Sequence, residues 1–197
     1  GIPLPVGLTI QPLKGMETED WYPAPDKIYA SNLALETTAQ LQQTDIFPSV
    51  KEAVPATGKE GFAIENKVKL TFHPDFANEA ELLKEKLATI HGLEVVSEAP
   101  VTVYLDYLPE RETAVNGEYY RIDTGNGLIN ISASTSHGIF NGTQTLLSLL
   151  KGQEKPFRLE ALSIRDYPDL PYRGQMLDIA RNFTTVEHLK KLVDVIS

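Results

Sequence analysis

The chain has 197 residues, 42% hydrophobic and 23% charged, enough for one large domain or a medium domain plus part of another. A net charge of −9 and a pI near 4.9 argue against nucleic acid and anionic membrane surfaces as partners. With no cysteine, disulfides, thiolate chemistry and cysteine-ligated metals are excluded within it, and no apolar run is long enough for a membrane-spanning helix.

Residues 1–26 carry Pro3, Pro5, Pro12, Pro23 and Pro25 and read as an extended lead-in, because proline removes backbone donors. No signal peptide is visible, and Gly1 is compatible with cleavage of an export signal. Lys27–Leu35 reads as a first strand, and 48–61, with Pro48, Pro55, Gly58 and Gly61, as a loop.

Lys67–Phe72 alternates polar and apolar, the pattern of a strand with one buried face. Asn78–His91 follows as a helix capped by Asn78, striped by Leu82, Leu83, Leu87 and Ile90, and ended by Gly92. Val101–Tyr107 is a second strand. Tyr119–Asp123 and Leu128–Ser132 predict a hairpin across Thr124-Gly125-Asn126-Gly127. Gly138–Lys151 predicts a helix lined by Ile139, Phe140, Thr143, Leu146, Leu147 and Leu150, and Arg158–Ile164 a returning strand.

This order predicts an α+β domain over 27–166: a mostly antiparallel sheet with two helices on one face. Asp166–Pro171 then reads as a linker. Residues 167–197 add a buried strand, Arg173–Arg181, and a helix capped by Thr184 with Glu187 as its capping-box partner. Val186, Leu189, Leu192, Val193 and Ile196 repeat at helical spacing. One strand plus one amphipathic helix is a single β/α unit, which cannot bury itself alone; it reads as the opening of an incomplete (β/α)8 barrel. Lacking barrel neighbours, the strand is expected to be poorly ordered, packed on the preceding domain, or paired with another copy.

Most of the usual chemical constellations are missing. His73, His91, His137 and His188 are scattered, with no H-E-x-x-H pair, so no metal is implied. No G-x-S-x-G occurs, and Gly125-Asn126-Gly127 leads into a strand rather than a helix, so it is no phosphate loop. Three sequons, at Asn130, Asn141 and Asn182, read as chance matches. The carboxylate clusters Glu17, Glu19, Asp20 and Glu110, Glu112 read as solvated surface rather than a hydrolytic pair. Trp21, Tyr22, Tyr104, Tyr107, Tyr119 and Tyr120 could stack on sugars, but their place in predicted strands favours core packing.

Arg181 is the exception. Alternation puts Gly174, Met176, Asp178 and Ala180 on one face of its strand and Arg173, Gln175, Leu177, Ile179 and Arg181 on the other. The C-terminal end of a barrel strand faces the active site, where an arginine can fork its donors onto vicinal hydroxyls or a carboxylate. A salt bridge inside the barrel, for instance to Asp178, accounts for it equally well.

Asp166-Tyr167-Pro168 through Phe183, with Val186–Asp194, resembles the first β/α unit of glycoside hydrolase family 20, the β-N-acetylhexosaminidases, whose pattern runs D-x-P-x-F-P-x-R-G-x-M-L-D-x-[AS]-R-H-F. Upstream, Gly117–Ile122, Ile129–Ile131 and Gly138–Leu146 resemble the domain that precedes the barrel in that family, with G-x-F-x-G-x-Q-T-L as its best marker; residues 1–60 resemble it weakly. The resemblance implies an exo-acting hydrolase that removes terminal β-linked N-acetylglucosamine or N-acetylgalactosamine with retention, the substrate's own acetamido oxygen serving as nucleophile. It implies no cofactor and a catalytic Asp-Glu pair that lies beyond Ser197, so that this chain alone is inactive and the rest of its barrel is a partner. Arg181 matches the arginine that binds the hydroxyls at C3 and C4 of the sugar. Asn182 departs from the family's histidine. The resemblance also implies an exported bacterial protein, periplasmic or at the cell surface. The alternative is a non-catalytic carbohydrate-binding or scaffolding module attached to another glycosidase.

Overall fold

A computed structural model describes residues 25–33, 46, 49–110, 112–181 and 183–196. The chain divides into two compact units, Gly1–Asp45 and Ile46–Ser197. In the first, helix α1 spans Pro25–Leu33, where the sequence predicts a strand from Lys27. The reason is local: proline at the first helical position needs no donor, and Asp26 in the first turn complements the helix dipole. The proline-rich stretch before it, with Glu17, Glu19, Asp20, Trp21 and Tyr22, lies outside the described residues.

The second unit is built on a seven-stranded sheet. In chain order its elements are β1 (Glu52–Pro55), β2 (Phe62–Ile64), β3 (Lys67–Phe72), a 3-10 turn (Pro74–Phe76), α2 (Ala77–His91), β4 (Glu94–Val96), β5 (Thr102–Tyr107), β6 (Tyr120–Gly125), β7 (Leu128–Ala133), α3 (Ser136–Leu150), β8 (Phe157–Leu159), β9 (Leu162–Asp166) and α4 (Val186–Ile196). The sheet runs β1-β9-β6-β7-β5-β3-β4, and β2 pairs with β8 in a separate two-stranded sheet. The β1–β9, β9–β6 and β6–β7 pairs are antiparallel, whereas β7–β5, β5–β3 and β3–β4 are parallel. The sheet is therefore mixed rather than mostly antiparallel. A helix between two neighbouring strands returns the chain to the same end of the sheet, so β3-α2-β4 has to close as a parallel pair.

The hairpin forms as predicted, Gly125 facing Leu128 across the two-residue turn Asn126-Gly127. Both turn residues have positive φ, 54° and 77°, as the tight right-twisted turn requires. The segment 48–61 is not all loop. Glu52–Pro55 adds an edge strand to β9, with Pro55 at its last position, where a missing donor costs least. The single strand expected over Arg158–Ile164 breaks into β8 and β9. Thr124 Oγ1 stabilises the break by donating to the Glu160 carbonyl at 2.6 Å and accepting from the Leu162 amide at 2.8 Å.

Helices α2 and α3 pack on each other and on the sheet. Ala80, Leu83 and Leu87 of α2 and Ile139, Leu146 and Leu150 of α3 meet Val68, Val103, Leu105, Ile122, Ile129, Ile131 and Ile164 in one core. Ala80 replaces the expected Ile90, which is exposed. The helix starts differently from its expected Asn78 cap: Pro74–Phe76 forms a 3-10 lead-in capped by the His73 side chain, while Gly92 ends it with φ 61° as predicted. Helix α3 starts two residues earlier than predicted because the Thr135 side chain accepts from the Gly138 amide.

Candidate functional site

The sheet domain closes at Asp166, and the chain leaving it is tied down rather than a loose linker. The Tyr120 hydroxyl and the Lys51 amide donate to the two Asp166 carboxylate oxygens at 3.0 and 3.1 Å. The Lys51 ammonium pairs with Asp169 and lies 5.6 Å from the Tyr167 ring centre. Tyr119 and Tyr167 contact each other with ring centres 6.4 Å apart. Arg173 then folds back. One of its terminal nitrogens donates to the Leu170 carbonyl at 2.7 Å and to Glu118 at 3.3 Å, the other to Glu118 at 2.5 Å.

Glu118 borders a surface hollow of about 580 Å³ together with Asn116, Ser136, His137 and Pro171. Its amide donates to the Asn116 side chain at 2.9 Å, and Asn141 Nδ2 approaches both its carbonyl and its carboxylate. Hydrogen bonds from Arg173 hold the Glu118 carboxyl below the usual range.

From Tyr172 to Asp178 the backbone runs without regular structure, and residues 179–181 form a turn. Met176 is 95% exposed and Tyr172 85%. The expected buried strand Arg173–Arg181 and its two-faced alternation are absent. A strand needs a neighbour for its N–H and C=O groups, and no described strand pairs with this segment. At its end Asp178 organises the turn: Oδ1 accepts from the amides of Ala180 at 2.9 Å and Arg181 at 3.1 Å, and Oδ2 from Arg181 Nε at 2.5 Å. The Arg181 amide and guanidinium, with the Ala180 amide, hold the Asp178 carboxyl below its usual range.

Of the two roles open to Arg181, the pair with Asp178 is thus formed, although in an exposed turn. The Arg181 side chain remains 87% exposed. A planar guanidinium steadied through Nε on an open surface is suited to forked bonds with a hydroxyl pair or a carboxylate. Asn182 lies outside the described residues. Beyond it Thr185, not Thr184, caps α4 by accepting from the His188 amide at 3.2 Å, so the box with Glu187 does not form. Val186 and Val193 of its apolar stripe stay exposed.

Glu112 is no solvated surface residue. Its side chain is 16% exposed and meets the Tyr119 hydroxyl at 2.6 Å and Arg121 at 2.8 Å. Burial alone would raise its pKa, but these bonds and the charges of Arg121 and Arg165 lower it. Tyr119 and Tyr120 are core residues, as expected, whereas Tyr104 and Tyr107 are exposed. The four histidines lie on separate segments, and among the described residues no group of three or more candidate ligands gathers for a metal. The carboxylate and lysine that anchor the exit, Glu118 and Lys51, carry no signal in the sequence, since their partners lie far along the chain.

Residues 43–167 match the model of glycosyl hydrolase family 20, domain 2. The chain belongs to glycoside hydrolase family 20. Within the family it is 32% identical over 133 residues to a β-hexosaminidase of Porphyromonas gingivalis, an alignment covering 60% of this chain and 16% of that protein. It is also 32% identical over 110 residues to the N,N'-diacetylchitobiase of Vibrio harveyi, covering 54% of this chain and 12% of the relative. The crystal structure of a family 20 exo-β-N-acetylglucosaminidase from Vibrio harveyi superposes with a TM-score of 0.64 at 29% identity, over 77% of this chain and 23% of that one. A β-N-acetylhexosaminidase from Bacteroides fragilis shares the fold at 22% identity with a TM-score of 0.62, over 76% of this chain and 30% of that one. The chain thus spans a minor part of the family 20 proteins it matches. Arg173 and Arg181 lie past the matched domain 2.

Proposed function

We propose that this chain is the N-terminal part of an exo-acting β-N-acetylhexosaminidase. In this reading domain 2 is followed by the first β/α unit of a (β/α)8 barrel, and the enzyme releases terminal β-linked N-acetylglucosamine or N-acetylgalactosamine. The observation that carries the proposal is the domain 2 match over residues 43–167, followed directly by the segment resembling the family's first barrel unit. Arg181 serves as ligand to the hydroxyls at C3 and C4 of the terminal sugar, a role supported by its exposed, Asp178-steadied guanidinium. Hydrolysis proceeds with retention, the acetamido oxygen attacking the anomeric carbon while a barrel glutamate protonates the departing oxygen and an aspartate orients the acetamido group. Both acids come from the fourth barrel strand, so this chain alone turns over no substrate. It works outside the cytoplasm, in the periplasm or at the cell surface.

The reading frame past Ser197 should carry an Asp-Glu dipeptide roughly 120–180 residues on, by the pitch of β/α units. The longer polypeptide should release nitrophenol from a nitrophenyl N-acetylglucosaminide. Arg181→Ala should lower its kcat/KM by roughly a hundredfold, the order expected for loss of a charged hydrogen-bond donor to substrate. A frame that stops at Ser197, or an Arg181→Ala enzyme as active as its parent, would defeat the proposal. Chitobiose titrated calorimetrically into the present chain tests the alternative of a carbohydrate-binding module, which requires submillimolar affinity.

A further inference from the structure

We infer that Glu118, with Asn141 behind it, is a positioning residue for the Arg181 segment, acting through a clamp on Arg173; the inference deepens the hexosaminidase reading and rests on it. Three observations carry it. First, the backbone that carries Glu118 is built into the domain, and Asn141 Nδ2 lies 3.5 Å from its carboxylate. The Glu118 amide is held by Asn116, the preceding Gly117 carbonyl accepts from the Thr135 hydroxyl that caps α3, and the following Tyr119 hydroxyl is held by Glu112. The Tyr119 carbonyl also lies against Gly138, where a β-carbon would come within 2.5 Å of it.

Second, the contact is two-pronged. The Arg173 guanidinium meets both Glu118 oxygens, at 3.3 and 2.5 Å, and also its own Leu170 carbonyl at 2.7 Å. A single contact would leave the arginine free to swivel; a planar fork on two oxygens fixes its orientation as well as its distance. Third, among the described residues Arg173 makes the last side-chain hydrogen bond from the exit segment to the sheet domain, and Gly174 to Leu177 after it stand exposed before the Asp178–Arg181 turn. The clamp therefore sets where the span carrying Arg181 departs. Exposed ion pairs contribute little to stability, so the role that follows from this geometry is placement.

The clamp has a chemical readout in the present chain. Arg173 and Arg181 are both trypsin sites, and only the first is held by Glu118. In Glu118→Gln, cleavage after Arg173 should rise roughly tenfold, because proteolysis follows the population in which the site is released. Cleavage after Arg181 should not change, and neither should the melting temperature. Equal cleavage at Arg173 in variant and parent would overturn the clamp.

The positioning role is read in the barrel-containing polypeptide. Glu118→Gln should raise KM for the nitrophenyl N-acetylglucosaminide roughly fivefold with kcat little changed, the signature of lost uniform binding. The charge exchange Glu118→Arg with Arg173→Glu should recover most of that loss. An unchanged KM in an active enzyme overturns the positioning role and leaves the family reading intact. A parent polypeptide with no hexosaminidase activity overturns both, whatever trypsin reports at Arg173.

Discussion

Gly138 seats helix α3 directly on the backbone of Tyr119: a β-carbon at position 138 would lie 2.5 Å from the Tyr119 carbonyl oxygen and 2.6 Å from the β-carbon of Ala133. Neither neighbour is the flexible end of a side chain, so neither can yield cheaply. Gly142 repeats the relationship one turn on, against Ile131 and the Tyr120 ring. The two glycines let the helix approach the β6–β7 hairpin closely enough to bury Ile122, Ile129 and Ile131.

Gly138→Ala should therefore destabilise the chain by about 1–3 kcal/mol, the overpacking penalty outweighing alanine's better helix propensity. Urea denaturation followed by circular dichroism checks this. A variant as stable as the parent would mean that the helix stands off the sheet.

The core and the exit segment should respond oppositely to truncation. Phe76 is 1% exposed, whereas Met176 is 95% exposed. Phe76→Ala should cost about 3–5 kcal/mol, and Met176→Ala no more than about 0.5 kcal/mol. A costly Met176→Ala in the present chain would show that the segment packs against something in solution. On the proposed barrel reading, the same substitution in the longer polypeptide should become costly, because Met176 would there fill a strand position.

Stability should fall on the acid side partly through His91. Its Nε2 is buried without a hydrogen bond and its ring stacks edge-on against Phe157 at 5.6 Å. Burial lowers its pKa below the ordinary 6.5. A depressed folded pKa gives stability that is present above about pH 6.5 and is lost as pH falls towards the folded value, because the unfolded chain takes up the proton first. Melting temperatures should drop between pH 7.5 and 5.5 and drop less in His91→Gln. Parallel curves would remove His91 from the account.

The alkaline side should be governed in part by Tyr119. Burial, then its hydrogen bond to Glu112, pushes the phenol up to about 12. A raised folded pKa gives stability that is complete below the ordinary value near 10 and is lost as pH rises through the folded one. Urea midpoints measured from pH 9.5 to 11.5 should decline in the parent and decline less in Tyr119→Phe. Direct ultraviolet titration of the phenolate provides an independent check.

Locally encoded features could be read from the chain alone. The β6–β7 hairpin follows from Asn126-Gly127, the end of α2 from Gly92, and the buried stripe of α3 from its 3.6-residue period, since each depends on neighbours a few residues away. The family was legible for the same reason: its marker residues are contiguous runs, in domain 2 and around Arg181. The start of α1 and the caps of α2 and α4 are local features that were misread; the other errors arose where distant partners decide. Glu52–Pro55 becomes a strand only because β9 offers an edge, and Arg158–Ile164 splits because Thr124 takes the backbone groups between its halves. Arg173–Arg181 has strand periodicity yet no strand, because periodicity cannot supply the neighbour that a ladder requires.

The sequence by itself determined helices α2, α3 and α4, the hairpin, the acidic cysteine-free composition and the candidacy of Arg181, all of which depend on residue type and short spacing. Only the tertiary structure decided that the sheet is mixed, that Glu112 is half-buried among two arginines and a tyrosine, and that Glu118 grips Arg173 from 55 positions away. Charge pairs of that kind leave no periodic trace along the chain. They exist because folding brings the start of β6 and the exit from β9 to one side of the domain.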